Sequence, residues 1–417
     1  MKRDFEVTLK QMILIIHRAI NSVDIRLFNH GEKVAYIMMN LLKADGSYSE
    51  EEILDICALS VFHDIGAYKV AERDKLAQID IVSPFDHAVY GALFIKYFSP
   101  LSKLYKTVLT HHFTYKYYKN KNLEVISKEG ILLNFADYID RVFVNKKRLT
   151  REEVENTKDC YLREHINLFV KADEKFNLVS KLIDGSYEQE LHSFFESKVL
   201  TREEVIAYSK MLAYSIDFRS EATVKHTILV EGISYQIGKL VGLDEETLTQ
   251  IKVASALHDV GKIAIPVEIL EKPGKLTHEE FEIMKKHSII GYNILSDLNI
   301  NDIRDIGTLH HEKMDGTGYP FGLKGEELII EARIVAIGDI ISALFGARSY
   351  KEAFDKEKIV KILETMIKSN KIDSEIGFLF INNYDFIMKE ALEESNELME
   401  IYMNLNIEYK ILLEEFS

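Results

Sequence analysis

ALSVFHDIG, residues 58–66, returns as VASALHDVG at residues 253–261. Each stretch closes a helix-forming run on a His-Asp pair and a glycine. The surroundings return with it. FDHAVYGALFI (85–95) pairs with KKHSIIGYNIL (285–295), and LNFADYID (133–140) with VAIGDIIS (335–342). The first copy orders His30, His63-Asp64, His87, His111-His112 and Asp137; the second orders His226, His258-Asp259, His287, His310-His311 and Asp339. A lone histidine on a helix is ordinarily a core or surface residue. Five ordered elements at similar intervals in two copies mark an internal duplication of one unit.

That unit is predicted to be helical. From Glu50 to Phe62, Ile53, Ile56, Cys57, Ser60 and Val61 recur at helical intervals. Ser49 with Glu52, Thr201 with Glu204 and Thr277 with Glu280 form capping-box patterns, in which side chain and backbone satisfy each other's free N–H groups. Strand signals are scarce. The 417 residues suit two domains, with IDGSYEQE (183–190) read as a loop between helices and the last residues as an amphipathic helix. No Gly/Ser- or Pro-rich linker separates the copies.

A net charge of −15 argues against a basic surface for nucleic-acid polymers, and leaves room for a small anion in a local basic pocket. Two cysteines, Cys57 and Cys160, are too few for a disulfide framework and suit a reducing compartment. No apolar run approaches the roughly 18 residues of a membrane span, and MKRDFEVTLK has no secretory core. The expectation is a cytoplasmic chain with no membrane partner.

Imidazole and carboxylate together suit iron, manganese, zinc, cobalt or nickel. One carboxylate can bridge two ions, with histidines from other helices completing each sphere. Two ions about 3.5–4 Å apart acidify a water and clamp both oxygens of a phosphoryl displacement.

His226, His258-Asp259 and Asp339 resemble the HD phosphohydrolase superfamily. With His287, His310-His311 and HHEKMDGTGYP (310–320), the second copy resembles its HD-GYP subgroup. The resemblance implies an all-α chain of two tandem HD-domain bundles: a degenerate copy at 1–180, a helical connector at 181–214, a catalytic domain at 215–390 and a C-terminal helix at 391–417. It implies two divalent transition metals, iron or manganese first. The implied ligands are His226, His258, Asp259, His287, His310, His311 and Asp339, with Asp259 as bridge. The implied substrate is a 3′,5′-cyclic dinucleotide, cyclic di-GMP first and cyclic GMP-AMP second, opened to the linear dinucleotide in second-messenger signalling.

By the same resemblance, Lys262 sits beside the metals. Arg348 and Lys351, on one helix face if helical, contact substrate phosphate. Gly318, Tyr319 and Pro320 shape a lip over the dinucleotide with Gly316, and Glu312 and Asp315 anchor that loop locally. Two departures stand out. Ala222, with Glu221 one step off, occupies the position where some members recruit a third metal through glutamate. Ser342 occupies the position where many carry an aspartate.

The first copy keeps every ligand type, His30, His63, Asp64, His87, His111, His112 and Asp137, and keeps Asp140 as well. It has Ala67 in place of Lys262, and FTYKYYKNKN (113–122) in place of the GYP loop; Arg141 supplies a cation. It reads as a regulatory or dimerising unit able to hold metal, which leaves a homodimer and signalling-protein partners open. The competing readings are a silent cyclic-dinucleotide sensor and another HD-type phosphohydrolase.

Overall fold

The computed structural model describes residues 6–22, 29–68, 85–114, 126–146, 154, 161–217, 221–346 and 354–416. The fold is all-α, and no strand occurs among the described residues beyond two isolated bridges. Two compact units emerge. The first draws on Glu6–His17, Asp24–Leu200 and Leu405–Ser417; the second draws chiefly on Thr201–Asn404. No described helix is long and apolar enough to cross a membrane.

In the first unit the elements that carry or lead into the repeated His and Asp residues are α1 (His30–Asp45), α2 (Glu50–Val61), α3 (Phe85–Phe98), α4 (Tyr105–Leu109) and α5 (Lys128–Lys146). Helix α1 packs on α2 and α5, and α3 packs on α4. Three helices follow: α6 (Arg163–Phe176), α7 (Leu178–Asp184) and α8 (Tyr187–Glu196). Tyr36, Phe62, Phe94, Phe135 and Phe195 are fully buried, and burial of such faces is the main favourable term in folding.

The second unit repeats the order with α9 (Arg202–Asp217), α10 (Glu221–Val241), α11 (Glu245–Leu257), α12 (His278–Leu295), α13 (Asn301–Thr308) and α14 (Ile330–Phe345). Helix α10 packs on α11 and α14, and α11 packs on α13. Then come α15 (Lys356–Lys368), α16 (Ser374–Asn382) and the 33-residue α17 (Tyr384–Phe416).

All three capping boxes form. Ser49 opens α2, Thr277 opens α12, and Thr201 exchanges bonds of 2.8 and 3.2 Å with Glu204. The stretch 183–190 is less of a loop than its polarity suggests. Only Gly185, in the left-handed region at φ 82°, and Ser186 separate α7 from α8. Buried Tyr187 starts the next helix at once.

Each His-Asp pair ends a helix and enters a short 3-10 turn, Ile65–Tyr68 after His63-Asp64 and Val260–Ala264 after His258-Asp259. The glycine after each pair has a steric cause. A Cβ on Gly66 would lie 2.1 Å from the His87 carbonyl oxygen, and one on Gly261 2.0 Å from that of His287. The missing side chain lets the turn press against the helix that bears the next histidine.

Candidate metal centre

Five elements deliver the second unit's cluster. His226 comes from α10, His258-Asp259 from the end of α11, His287 from α12, His310-His311 from the turn after α13, and Asp339 from α14. His226, His258, Asp259, His287 and His310 are buried, while Asp339 and His311 are partly open.

The main chain aims most of these imidazoles. His258 Nδ1 lies 2.7 Å from Ser255 O, His287 Nδ1 2.7 Å from Met284 O, and His310 Nδ1 2.7 Å from Gly307 O. A carbonyl only accepts, so Nδ1 carries a proton and Nε2 is the nitrogen turned to the centre. His226 Nδ1 lies 2.9 Å from Ser342 Oγ. The Ser342 hydroxyl donates to His226 O at 3.1 Å, so it accepts from Nδ1–H.

Asp259 stands between two groups of nitrogens. Its Oδ2 is 3.0 Å from His258 Nε2, and its Oδ1 is 3.4 Å from His287 Nε2 and 3.9 Å from His310 Nε2. Asp339 Oδ1 is 3.2 Å from His226 Nε2, and its Oδ2 is 3.9 Å from His311 Nδ1. Ligand atoms of His226, His258 and Asp259 all lie within 4.8 Å of one another, as do those of His287, His310 and His311. Two adjoining pockets thus share one carboxylate.

The donor set fits divalent transition metals. His258 Nε2 and Asp259 Oδ1 are buried without a hydrogen-bond partner, a costly arrangement for polar atoms unless a cation completes it. Burial alone would raise the Asp259 pKa, but His258 and Lys262 hold it well below the usual carboxylate range. Burial lowers His258, yet the Asp259 carboxylate lifts it to about 9. Burial depresses His226, His287 and His310, and takes His311 down to about 4. Lys262 Nζ donates to Asp259 Oδ2, placing a positive charge beside the shared carboxylate.

The loop after His311 is clamped by Glu312. Its Oε1 accepts from Phe321 N at 2.7 Å and Gly322 N at 3.1 Å, and its Oε2 from Leu323 N at 3.0 Å. Asp315 accepts locally from Thr317 N at 3.1 Å, and across 56 residues of sequence from Lys371 Nζ at 2.5 Å. Gly318 has no room for a side chain, since a Cβ there would meet Glu312 Cα at 2.5 Å. Gly316 lies in the left-handed region at φ 77°, and the Tyr319-Pro320 peptide is cis. Tyr319 packs on the His311 ring, centroids 4.7 Å apart.

Arg333, which has no sequence signal, ties the loop's far end. It donates to Leu328 O at 2.9 Å, Gly325 O at 2.6 Å and Asp373 Oδ2 at 3.1 Å. Beside His310 and His311 opens a cavity of about 220 Å³, lined by Leu309, Tyr319, Ala336 and Ile340 among others. Glu312→Ala leaves three loop N–H groups without their acceptor. The expected result is a roughly 10- to 100-fold fall in kcat/KM, mostly through KM, with metal content retained. Steady-state kinetics and limited proteolysis of the loop check this; unchanged kinetics with unchanged cleavage would refute the clamp.

The first unit repeats the cluster. His63 Nδ1 bonds Ser60 O at 2.7 Å and His111 Nδ1 bonds Val108 O at 2.5 Å. Asp64 Oδ2 is 3.4 Å from His63 Nε2, and its Oδ1 is 3.4 Å from His87 Nε2 and 3.5 Å from His111 Nε2. The Nε2 atoms of His87 and His112 lie 2.7 Å apart. Buried His30 Nε2, His63 Nε2, His111 Nε2 and Asp64 Oδ1 lack hydrogen-bond partners. Arg141 Nε donates to Asp137 Oδ1 at 2.8 Å. Arg348, Lys351, Cys160 and residues 115–122 lie outside the described residues, as do the side chains of Ala67, Glu221 and Ala222.

Comparison with known proteins matches this duplication. Two profiles, each described as HD domain, match residues 27–142 and 210–376. The 3′3′-cGAMP-specific phosphodiesterase 1 of Vibrio cholerae is 27% identical over 94% of this chain and 95% of its own length. A cyclic di-GMP phosphodiesterase of Thermotoga maritima is 42% identical over 39% of this chain and 44% of that protein. The crystal structure of a cyclic GMP-AMP-specific phosphodiesterase of V. cholerae aligns with a TM-score of 0.54 at 16% identity, covering 93% of this chain and 98% of that one, a likeness of fold.

Proposed function

This chain belongs to the HD-GYP branch of the HD-domain proteins, and from that premise we propose that its second unit is a metal-dependent phosphodiesterase opening a 3′,5′-cyclic dinucleotide to the linear form. The observation that carries the reading is the sharing of Asp259. One oxygen faces His258 and Lys262, and the other faces His287 and His310. His226, His258, Asp259, His287, His310, His311 and Asp339 would hold two divalent cations. When bound, such ions acidify a water near neutral pH and offset charge on the phosphoryl oxygens.

The chain's own residues do the positioning. Lys262 places its charge where a scissile phosphate approaches Asp259. The loop held by Glu312 keeps Tyr319 over His311, and the apolar cavity beside it suits the flat face of a base. Arg348 and Lys351 are proposed to grip the phosphates. Cyclic di-GMP is the first substrate to test, given the closer local identity to enzymes of that name. Cyclic GMP-AMP is the second, favoured by the relative that matches along nearly the whole chain.

The test incubates full-length protein with Mn²⁺ or Fe²⁺ and each cyclic dinucleotide, then resolves products. No turnover by wild type, or undiminished turnover by His258→Ala, would overturn the enzymatic reading. Loss of turnover in His63→Ala would overturn the assignment to the second unit alone.

Metal loading is expected to release protons. His258, raised to about 9, is protonated at pH 7.5 in the metal-free chain. A cation at Nε2 displaces that proton, so apparent affinity climbs with pH until about 9 and then levels off. Calorimetry in buffers of different ionisation enthalpy measures the release; a heat independent of buffer would refute it.

A further inference from the structure

The two clusters differ in what braces the first histidine. In the first unit His30 Nδ1 lies 2.6 Å from Asp140 Oδ2. In the second, His226 Nδ1 lies 2.9 Å from Ser342 Oγ. Asp140 and Ser342 stand at equivalent positions, each three residues after the last acid of its set, and both are buried. The Ser342 hydroxyl spends its single proton on His226 O, so its brace is neutral. The Asp140 brace is a carboxylate. An anion bonded to one imidazole nitrogen strengthens the other as a metal donor.

The surrounding charge runs the same way. Around the first cluster stand Asp64, Asp137 and Asp140 against Arg141. Around the second, among the described residues, stand Asp259 and Asp339 against Lys262. Among the described residues the first cluster therefore carries one more negative charge. Cations there would be held harder, and once loaded it would present less positive charge to an anion.

We propose that the chain holds metal unequally: Asp140 makes the first unit a tight, retained metal centre, while Ser342 leaves the second a weaker, exchangeable one with more positive charge for an anionic phosphodiester. Asp140 and Ser342 are positioning residues that act through His30 and His226. The proposal rests on reading both clusters as metal sites.

The test uses the full chain, metal-free and then titrated with Mn²⁺ against a competing chelating dye, with metal content read by mass spectrometry. Wild type is expected to show two classes of site roughly 10- to 100-fold apart in affinity. Asp64→Asn removes the tight class and Asp259→Asn the weak one. Ser342→Asp tightens the weak class, and Asp140→Ser loosens the tight one. These opposite movements are ones that simple loss of packing would not produce. Circular dichroism of each metal-free variant identifies any that fails to fold, and the reciprocal exchange then decides. A single class of equal sites, a tight class that depends on Asp259, or exchanges that leave both affinities unmoved would overturn the inequality. No metal bound by wild type would overturn the metal reading beneath it as well.

Discussion

Asp259→Asn is expected to abolish turnover, with kcat down by about 10³-fold or more, some 4 kcal/mol of transition-state stabilisation. The substitution keeps shape and removes charge. Both carboxylate oxygens are committed, Oδ2 toward His258 and Oδ1 toward His287 and His310. An amide offers one oxygen where two are needed and leaves the Lys262 ammonium beside a neutral group. Metal content of the second cluster should fall with the rate. Turnover comparable with wild type at saturating Mn²⁺ would show that Asp259 is not the shared ligand. The matched Asp64→Asn variant should keep its turnover, since in the first copy's sequence Ala67 stands in place of Lys262 and FTYKYYKNKN in place of the GYP loop.

Lys262→Ala is expected to separate chemistry from metal binding. Its ammonium lies beside the carboxylate that two clusters of nitrogens share. Removing a cation from a metal site leaves cations bound at least as well, because the repulsion between like charges falls. The same removal strips a preorganised positive charge from the phosphate's approach, an effect worth roughly 10²- to 10³-fold in kcat. Single-turnover rates and metal content measured on one preparation check both halves. A rate loss that merely follows lost metal would refute the role. Ala67 makes this same substitution in the first copy.

The clustered histidines and aspartates were legible because coordination chemistry restricts residue type and the duplication marks spacing. The helices were legible from periodicity and capping boxes, as at Ser49 and Thr277. The clamp at Glu312 was harder to read. A carboxylate after two histidines suggests a local bond, as Asp315 makes with Thr317. Instead Glu312 reaches residues 321–323, a distance in sequence that only the closed loop brings near. Arg333 gave no signal, because a helical arginine ordinarily faces solvent, while this one meets two carbonyls and Asp373. Ser342 showed as a departure from a pattern. Its paired bonds to His226 depend on the packing of α10 against α14, which no local window contains.

The carbonyls behind His63, His111, His258, His287 and His310 give the duplicated cluster an unusual independence. Each of these imidazoles takes its direction from a peptide group three residues earlier, so side-chain substitutions around it do not turn it. A gene copy is then free to shed its lip, exchange a lysine for an alanine or recruit an arginine while its nitrogens still converge. The unit is modular in the evolutionary sense. It also offers the engineer a socket, since a foreign loop grafted after His112 inherits the imidazole directions of His63 and His111 already set by the main chain.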